Sequence, residues 1–347
     1  MSIRRQLKRQ LIKKHKVPTR STKAAVLLEK AISYLKYGQF IEGENFCKKV
    51  VKLDHHNIDA WLYLGYALYK QGFLQKAVDA YKSCIKLKPD YAKAYYNLSL
   101  VQHDLKLIPE AIKSLQRTVE LDPKHAPARH KLAALSGKTT DSPPREYVIN
   151  LFDQYSSNFE THLINKLEYK VPFLLRKLLS KYLPDDIRLS KAIDLGCGSG
   201  ISGQAFNDIV NYMAAIDISR NMLEQAKTKK IYNDLYLGEI CEVLPQLPDL
   251  FDLFIATDVM VYIGKLEQIF SAVSIKSNPR AYFVFSVESQ QKEDFMLQQS
   301  CRYAHSSTYI RKLATASGFS IIAQKEIGIR KEDDGWIPGE IYILKKN

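Results

Sequence analysis

The chain has few cysteines for its length. Cys47, Cys84, Cys197, Cys241 and Cys301 lie far apart among 347 residues and form no C-x-x-C pair. That spacing argues against a structural zinc or a disulfide framework, fits a reducing compartment, and makes a cytoplasmic location the expectation. An apolar run of about 18 residues is also lacking, so no transmembrane helix is predicted. Acidic residues are missing from the first 28 positions, where nine Lys/Arg gather. No apolar stretch follows these charges, which excludes a secretory signal. A basic extension over residues 1–23 remains, with Ile3, Leu7 and Leu11 every four residues, and an anionic partner such as RNA or a charged membrane surface would suit it.

Apolar residues make up 46% of the chain and charged residues 25%, within the usual range for globular proteins and enough for two cored domains. The first domain announces itself by repetition. Residues 58–91 and 92–125 align at a period of 34, with Trp61 on Tyr95, Leu64 on Leu98, Gly65 on Ser99, Ala77 on Ala111, Tyr81 on Leu115 and Pro89 on Pro123. Residues 24–57 follow more loosely through Leu27, Ala31, Tyr34 and Gly38. Small residues at Gly65 and Ala77 let paired helices approach, Tyr81 is expected to fill the gap between repeats, and proline ends the second helix. AWLYLGYALYKQGFLQKAVDAYKSCIKLKP resembles the tetratricopeptide repeat, with residues 126–136 as a capping helix. Such arrays present concave surfaces, so the repeats are expected to recruit a protein partner or carrier-bound substrate, with Tyr66, Tyr69 and Tyr96 on that face.

GKTTDSPPRE, residues 137–146, reads as a linker. From residue 147 the pattern changes. AIDLG, YMAAIDIS, LYLGEI, DLFIATDV and AYFVFSVES are strand-like and alternate with helical stretches, which predicts an α/β domain over 147–347 with a mostly parallel, doubly wound sheet. The last segment reads as two strands around an acidic turn, so one edge strand is expected to be antiparallel. Acids close successive strands at Asp194, Asp217, Glu239, Asp258 and Glu288, where open α/β sheets hold their ligands.

IDLGCGSGISG (193–203) holds four glycines in eleven positions between a strand and a helix. It contains the G-x-G-x-x-G of dinucleotide sites, which leaves an NAD-dependent oxidoreductase as an alternative. Asp217 suits the two hydroxyls of a ribose, whichever adenosine cofactor carries it. Asp194 discriminates. A pyrophosphate is repelled by an acid beside its loop, whereas the ammonium and sulfonium groups of S-adenosylmethionine are attracted to one.

DLGCGSG with AIDISRNMLEQA, and DLFIATDVMVYIG further on, resemble the motifs of class I S-adenosylmethionine-dependent methyltransferases. LFDQYSSNFETHL and SCRYAHSSTYI resemble segments of methyltransferase domains attached to tetratricopeptide repeats. The resemblance implies a Rossmann-like fold, S-adenosylmethionine as cofactor, and methyl transfer to an oxygen, nitrogen or carboxylate acceptor. It implies that Asp194 faces the methionine ammonium, that Gly196, Gly198 and Gly200 lie under the cofactor, and that Asp217 holds the ribose. Ile218 and Met222 would flank the adenine, with Ile240 also in the cofactor site. Glu239 would stand near the adenine amino group in place of the usual Asp. Thr257 and Asp258 would line the methyl-transfer end, and Tyr155 would cap the site. A hydroxyl or ammonium acceptor needs a base, for which His305 and His162 are the candidates, with Tyr262, Arg302 and Tyr303 as substrate contacts. No metal is expected. The Asn/Asp-Pro-Pro-Tyr box linked to methylation of amides and nucleobase amines is replaced by TDVMVY, and no second glutamate near Glu288 forms the pair that arginine methylation would need. A scaffold whose methyltransferase-like domain no longer catalyses is the other alternative.

Overall fold

The computed structural model describes residues 20–155, 159–184, 187–332 and 335–347. Most of the basic N-terminus, residues 1–19, lies outside them. The chain divides into two compact units, Met1–Leu132 and Ala133–Asn347.

The first unit consists of helices in pairs: α1 (Arg20–Lys36) with α2 (Phe40–Leu53), α3 (Ile58–Lys70) with α4 (Leu74–Leu87), and α5 (Ala92–Asp104) with α6 (Ile108–Leu121). α7 (Ala126–Leu135) follows, and the division between the units falls within it. Ala31, Ala60, Ala77, Ala94 and Ala111 are fully buried where helices meet. A Cβ on Gly65 would stand 2.6 Å from the Tyr81 ring, so the missing side chain is what admits the ring. Gly65 and Tyr81 belong to one repeat, so the tyrosine fills space inside its own helix pair. Asn57 caps α3 by accepting a hydrogen bond from the Ala60 amide at 2.9 Å.

The second unit opens with α8 (Arg145–Tyr155) and a short helix at Phe159–Thr161 that runs into a π-helical turn at His162–Lys166. α9 (Val171–Leu179) leads to the sheet. Its strands are β1 (Leu189–Leu195), β2 (Val210–Asp217), β3 (Asp234–Leu237), β4 (Phe251–Ala256) and β5 (Ser277–Ser289), side by side in the order β3-β2-β1-β4-β5 and all parallel. Between them run α10 (Ile201–Phe206), α11 (Arg220–Thr228), α12 (Ile240–Val243) and α13 (Glu267–Lys276). β6 (Phe295–Leu297), β7 (Tyr303–His305) and α14 (Ser307–Ala316) precede a long hairpin, β8 (Phe319–Glu332) with β9 (Gly335–Lys346). β9 lies antiparallel between β5 and β8, as the last segment of the sequence predicts. The central strands are apolar on both faces because both are covered. Phe254, Phe283 and Phe285 enter one core, and their neighbours Leu253, Ile255 and Val284 enter the other. β1 has β2 on one side and β4 on the other, so the strand order reverses there and a crevice opens at its carboxyl end.

Residues 139–145, expected as linker, pack onto this second unit. The Lys265 amide donates to the Asp141 carbonyl at 2.9 Å, and the Leu297 amide donates to the Thr139 hydroxyl at 3.3 Å. Among the described residues no helix is long and apolar enough to cross a membrane, and no group of His, Cys, Asp or Glu could hold a metal ion.

Candidate active site

A cavity of about 910 Å³ occupies the crevice at the carboxyl ends of β1, β2 and β4. The loop after β1 forms its floor. Gly196, Gly198 and Gly200 all have positive φ (71°, 53° and 94°), so the chain curls tightly enough to bring Gly196 and Gly198 to the cavity surface, whereas Gly200, expected under the cofactor, does not line it. At Gly203 the reason for glycine differs. A Cβ there would stand 2.4 Å from the Tyr232 hydroxyl, so this last glycine of the G-x-G-x-x-G makes room for a tyrosine.

That tyrosine serves Asp194. Tyr232 donates its hydroxyl hydrogen to Asp194 Oδ2 at 2.6 Å, while Asp194 Oδ1 has no hydrogen-bond partner although the residue is fully buried. Asp194 does not itself form the cavity wall, but cavity-lining Ser202 and Asp217 are its electrostatic neighbours. Burial pushes its carboxyl up to about 7, against the Tyr232 hydrogen bond, and the like charge of Asp217 adds to the rise. Asp217 accepts the Gly198 amide on Oδ2 and the Ser219 amide on Oδ1, both at 2.8 Å, and lines the cavity with lone pairs to spare. Burial raises it to about 6, opposed by those amides.

Around the rest of the wall stand Ile218, Glu239, Ile240, Thr257, Asp258 and Tyr262. Arg145 of α8 reaches Glu239 at 3.3 Å, and α8 is tied across the site by a 2.5 Å hydrogen bond from Ser219 Oγ to Asp153. Phe152 meets Tyr262 edge to face at 5.0 Å. Thr257 shares a 2.9 Å hydrogen bond with Ser202, which fixes the first strand's loop against the fourth strand's end.

At the far end a buried charge cluster begins. Asp258 holds φ 56°, a left-handed conformation that costs a non-glycine residue about 1 kcal/mol. Its amide donates to Ser286 Oγ at 3.0 Å, and its carboxylate receives Arg330 at 2.9 Å. Arg330 comes from β8, is 1% exposed, and also pairs with Glu288 and, at 3.0 Å, with Glu332. Glu332 in turn holds Arg302 at 2.5 Å. Burial raises the Glu288 carboxyl despite the two arginines, whereas the arginines hold Glu332 below its ordinary value despite its burial.

Several residues named from the sequence stand elsewhere. Met222 is fully buried and does not line the cavity; its amide serves the Ser219 cap of α11. His305 is fully buried on β7, with Nε2 against the Ile263 and Gly264 carbonyls at 3.0 Å, and burial depresses it to about 4. It is a neutral packing residue, not a base facing the cavity. His162 sits in the π-helical turn and is not in the wall, although its neighbour Leu163 is. Tyr303 bonds Thr140 at 2.7 Å, and neither it nor Arg302 reaches the cavity surface. Tyr155 ends α8, and its side chain lies outside the described residues. Beside Tyr262 the wall holds a second tyrosine that the sequence did not single out, Tyr169, with a buried hydroxyl that has no hydrogen-bond partner. Ser199 Oγ is likewise buried, unpartnered and in the wall.

Two buried polar atoms without a hydrogen-bond partner, on Ser199 and Tyr169, therefore face the crevice, and the unpartnered oxygen of Asp194 lies behind its wall. S-adenosylmethionine fits this set. Asp194 would supply negative charge for its cationic amino-acid part, Ser199 and Tyr169 would supply donors for a carboxylate, Asp217 would take the ribose, and Ile218 with Ile240 would offer apolar surface for the adenine.

Comparison with known proteins agrees. Residues 188–335 match a family described as a methyltransferase domain, and residues 65–106 and 92–125 match tetratricopeptide repeat families. The chain is 30% identical over 115 residues to a probable 18S rRNA (guanine-N(7))-methyltransferase of Dictyostelium discoideum, covering 33% of this chain and 38% of that protein. It is 26% identical over 121 residues to the 18S rRNA (guanine-N(7))-methyltransferase of Bos taurus, covering 35% and 41%. The chain thus spans about two fifths of the length of these curated relatives. Among solved structures, the magnesium protoporphyrin IX methyltransferase of Synechocystis with bound S-adenosylhomocysteine aligns at a TM-score of 0.45 and 16% identity, over 58% of this chain and 99% of that one. The chain thus joins a stretch that matches tetratricopeptide repeat families to one that matches a methyltransferase domain family.

Proposed function

We propose that the protein methylates a ring nitrogen of a nucleobase in RNA, guanine N7 above all. The observation that carries this reading is that no histidine lines the described cavity wall and that the groups at its methyl-transfer end are poor bases. His305 and His162 are not in that wall, Asp258 is neutralised by Arg330, and burial raises the Tyr262 hydroxyl so that it keeps its proton. S-adenosylmethionine, when bound, supplies an electrophilic methyl group on sulfur. An acceptor atom that already has a lone pair and no proton to lose needs only to be aligned and kept from water. Guanine N7 is such an atom. A carboxylate is another, but the wall carries Asp141, Asp217, Glu239 and Glu267 against Arg145 and Lys265, and this negative balance disfavours a charged carboxyl group as the acceptor. Exocyclic amines, the acceptors associated with the missing Pro-Pro-Tyr box, are not required. The rRNA substrates of the curated relatives support the same choice.

Asp258 and Tyr262 would then orient the acceptor, Asp258 as a fixed hydrogen-bond acceptor for N–H groups of a base edge. The repeats would hold the macromolecule that bears it. The test is to incubate the full-length protein and methyl-labelled S-adenosylmethionine with separated RNA, protein and small-molecule fractions of a cell lysate. Label is expected in RNA and, after nuclease digestion, in 7-methylguanosine. Label confined to protein or small molecules contradicts the reading.

A further inference from the structure

Residues 1–132 contain 26 Lys/Arg and 11 Asp/Glu, whereas residues 133–347 contain 25 and 26, so all the net charge of +14 sits in the repeat unit. Much of it is unneutralised. Of the 18 Lys/Arg at positions 21–132, only Lys48 and Arg117 stand within ion-pair distance of a carboxylate among the described residues. In the second unit nine do, including Arg145, Arg176, Lys191 and Arg330. The unpaired lysines also recur with the fold. Lys36 and Lys70 close α1 and α3, and Lys52 and Lys86 lie in the last turns of α2 and α4, each pair exposed and one 34-residue repeat apart. Stacked repeats carry such positions into rows along the array. Lysines of this unit also stand over aromatic rings: Lys70 is 5.7 Å from the Tyr66 centroid, and Lys76 is 4.9 Å from that of Phe73, which is half exposed.

We infer that the repeat unit itself, beyond its basic N-terminal extension, binds single-stranded RNA along these lysine rows. Regularly spaced, unneutralised cations suit a backbone of regularly spaced phosphates, and a half-exposed ring such as Phe73 suits a stacked base. An acidic peptide would use the charges but not the rings. The inference draws on the RNA reading above, yet it concerns binding and is measured without methyl transfer.

Fluorescence anisotropy of a labelled oligo(U) of about 20 nucleotides, titrated with the full-length protein at several salt concentrations, provides the test. Binding is expected to weaken with salt, with a slope of about −0.7 in the log–log plot for each phosphate contacted. Replacing Lys36, Lys52, Lys70 and Lys86 together by glutamine leaves the N-terminal extension intact, and is expected to make the slope shallower by about 3 and to weaken binding at least tenfold. Replacing Lys227, Lys230, Lys292 and Lys325 of the second unit removes equal charge and is expected to leave the slope unchanged. Equal effects of the two sets, no binding at low salt, or displacement by polyglutamate more readily than by unlabelled RNA would overturn the inference. RNA binding without label transfer would overturn only the acceptor assignment; label transfer to RNA with an unaltered salt slope in the first variant would overturn only this one.

Discussion

Replacing Asp194 by asparagine is expected to weaken S-adenosylmethionine binding by about 10- to 150-fold, the roughly 1.5–3 kcal/mol typical of a lost charged hydrogen bond. Asparagine keeps the shape and can still accept from Tyr232, so the loss isolates the charge. Stability should move the other way. Burial holds the wild-type carboxyl near 7, well above its ordinary value of about 4, so the folded apoprotein retains a proton that the unfolded chain releases. Its stability therefore falls as pH rises through that window. Asparagine removes this dependence, and the melting temperature of the apo variant at pH 8 is expected to equal or exceed that of the wild type. Cofactor affinity carries the same signature. In the wild type it should rise as pH increases toward and through 7, because binding a cation requires the ionised carboxylate; Asp217, raised to about 6, contributes in the same sense. In the variant the part due to Asp194 is lost, leaving a shallower profile. Calorimetric titration at several pH values, beside thermal melts, reads all of this. A variant that loses both binding and its melting transition would mean Asp194 is structural.

The largest stability effect is expected at Arg330. Replacement by methionine leaves Glu288, 1% exposed, and Asp258 without their shared counter-charge, and breaking a buried pair from one side costs about 3–5 kcal/mol. For a unit of this size that is roughly 10 °C in melting temperature. Adding Glu288→Gln to Arg330→Met should recover part of the loss, since it removes the stranded charge as well as its partner. No recovery would mean that Arg330 acts mainly through Asp258. Because Asp258 sits in a strained left-handed conformation at the cavity wall, the single variant is also expected to lose turnover at saturating cofactor while cofactor affinity changes little.

Much of this architecture was legible in the residues. A period of 34 with small residues at Gly65 and Ala77 specifies helix pairs, and apolar runs ending in acids specify parallel strands with a crevice at their ends. The strand-end rule is why Gly196, Gly198, Asp217, Ile218, Glu239, Ile240, Thr257 and Asp258 all line one cavity. What the sequence could not show was set by contacts distant along the chain. Tyr232 meets Asp194 across 38 residues and Arg330 meets Asp258 across 72. Gly203 contains the only local hint of the first: it reads as a dinucleotide glycine until the tyrosine it accommodates is seen. Tyr169 enters the wall because the π-helical turn brings its amide to the Leu163 carbonyl, an irregularity without periodic trace. Histidine in a motif-like segment suggested catalysis at His305, but both neighbours on β7 are buried too, and a three-residue strand is too short to reveal that pattern.

The most direct test of the account is a calorimetric titration of the full-length protein at pH 8 with S-adenosylmethionine, S-adenosylhomocysteine and NADH in turn. The acid-led glycine loop predicts saturable one-to-one binding of the first two and none of NADH. Binding of NADH with no heat from either sulfur compound would contradict it.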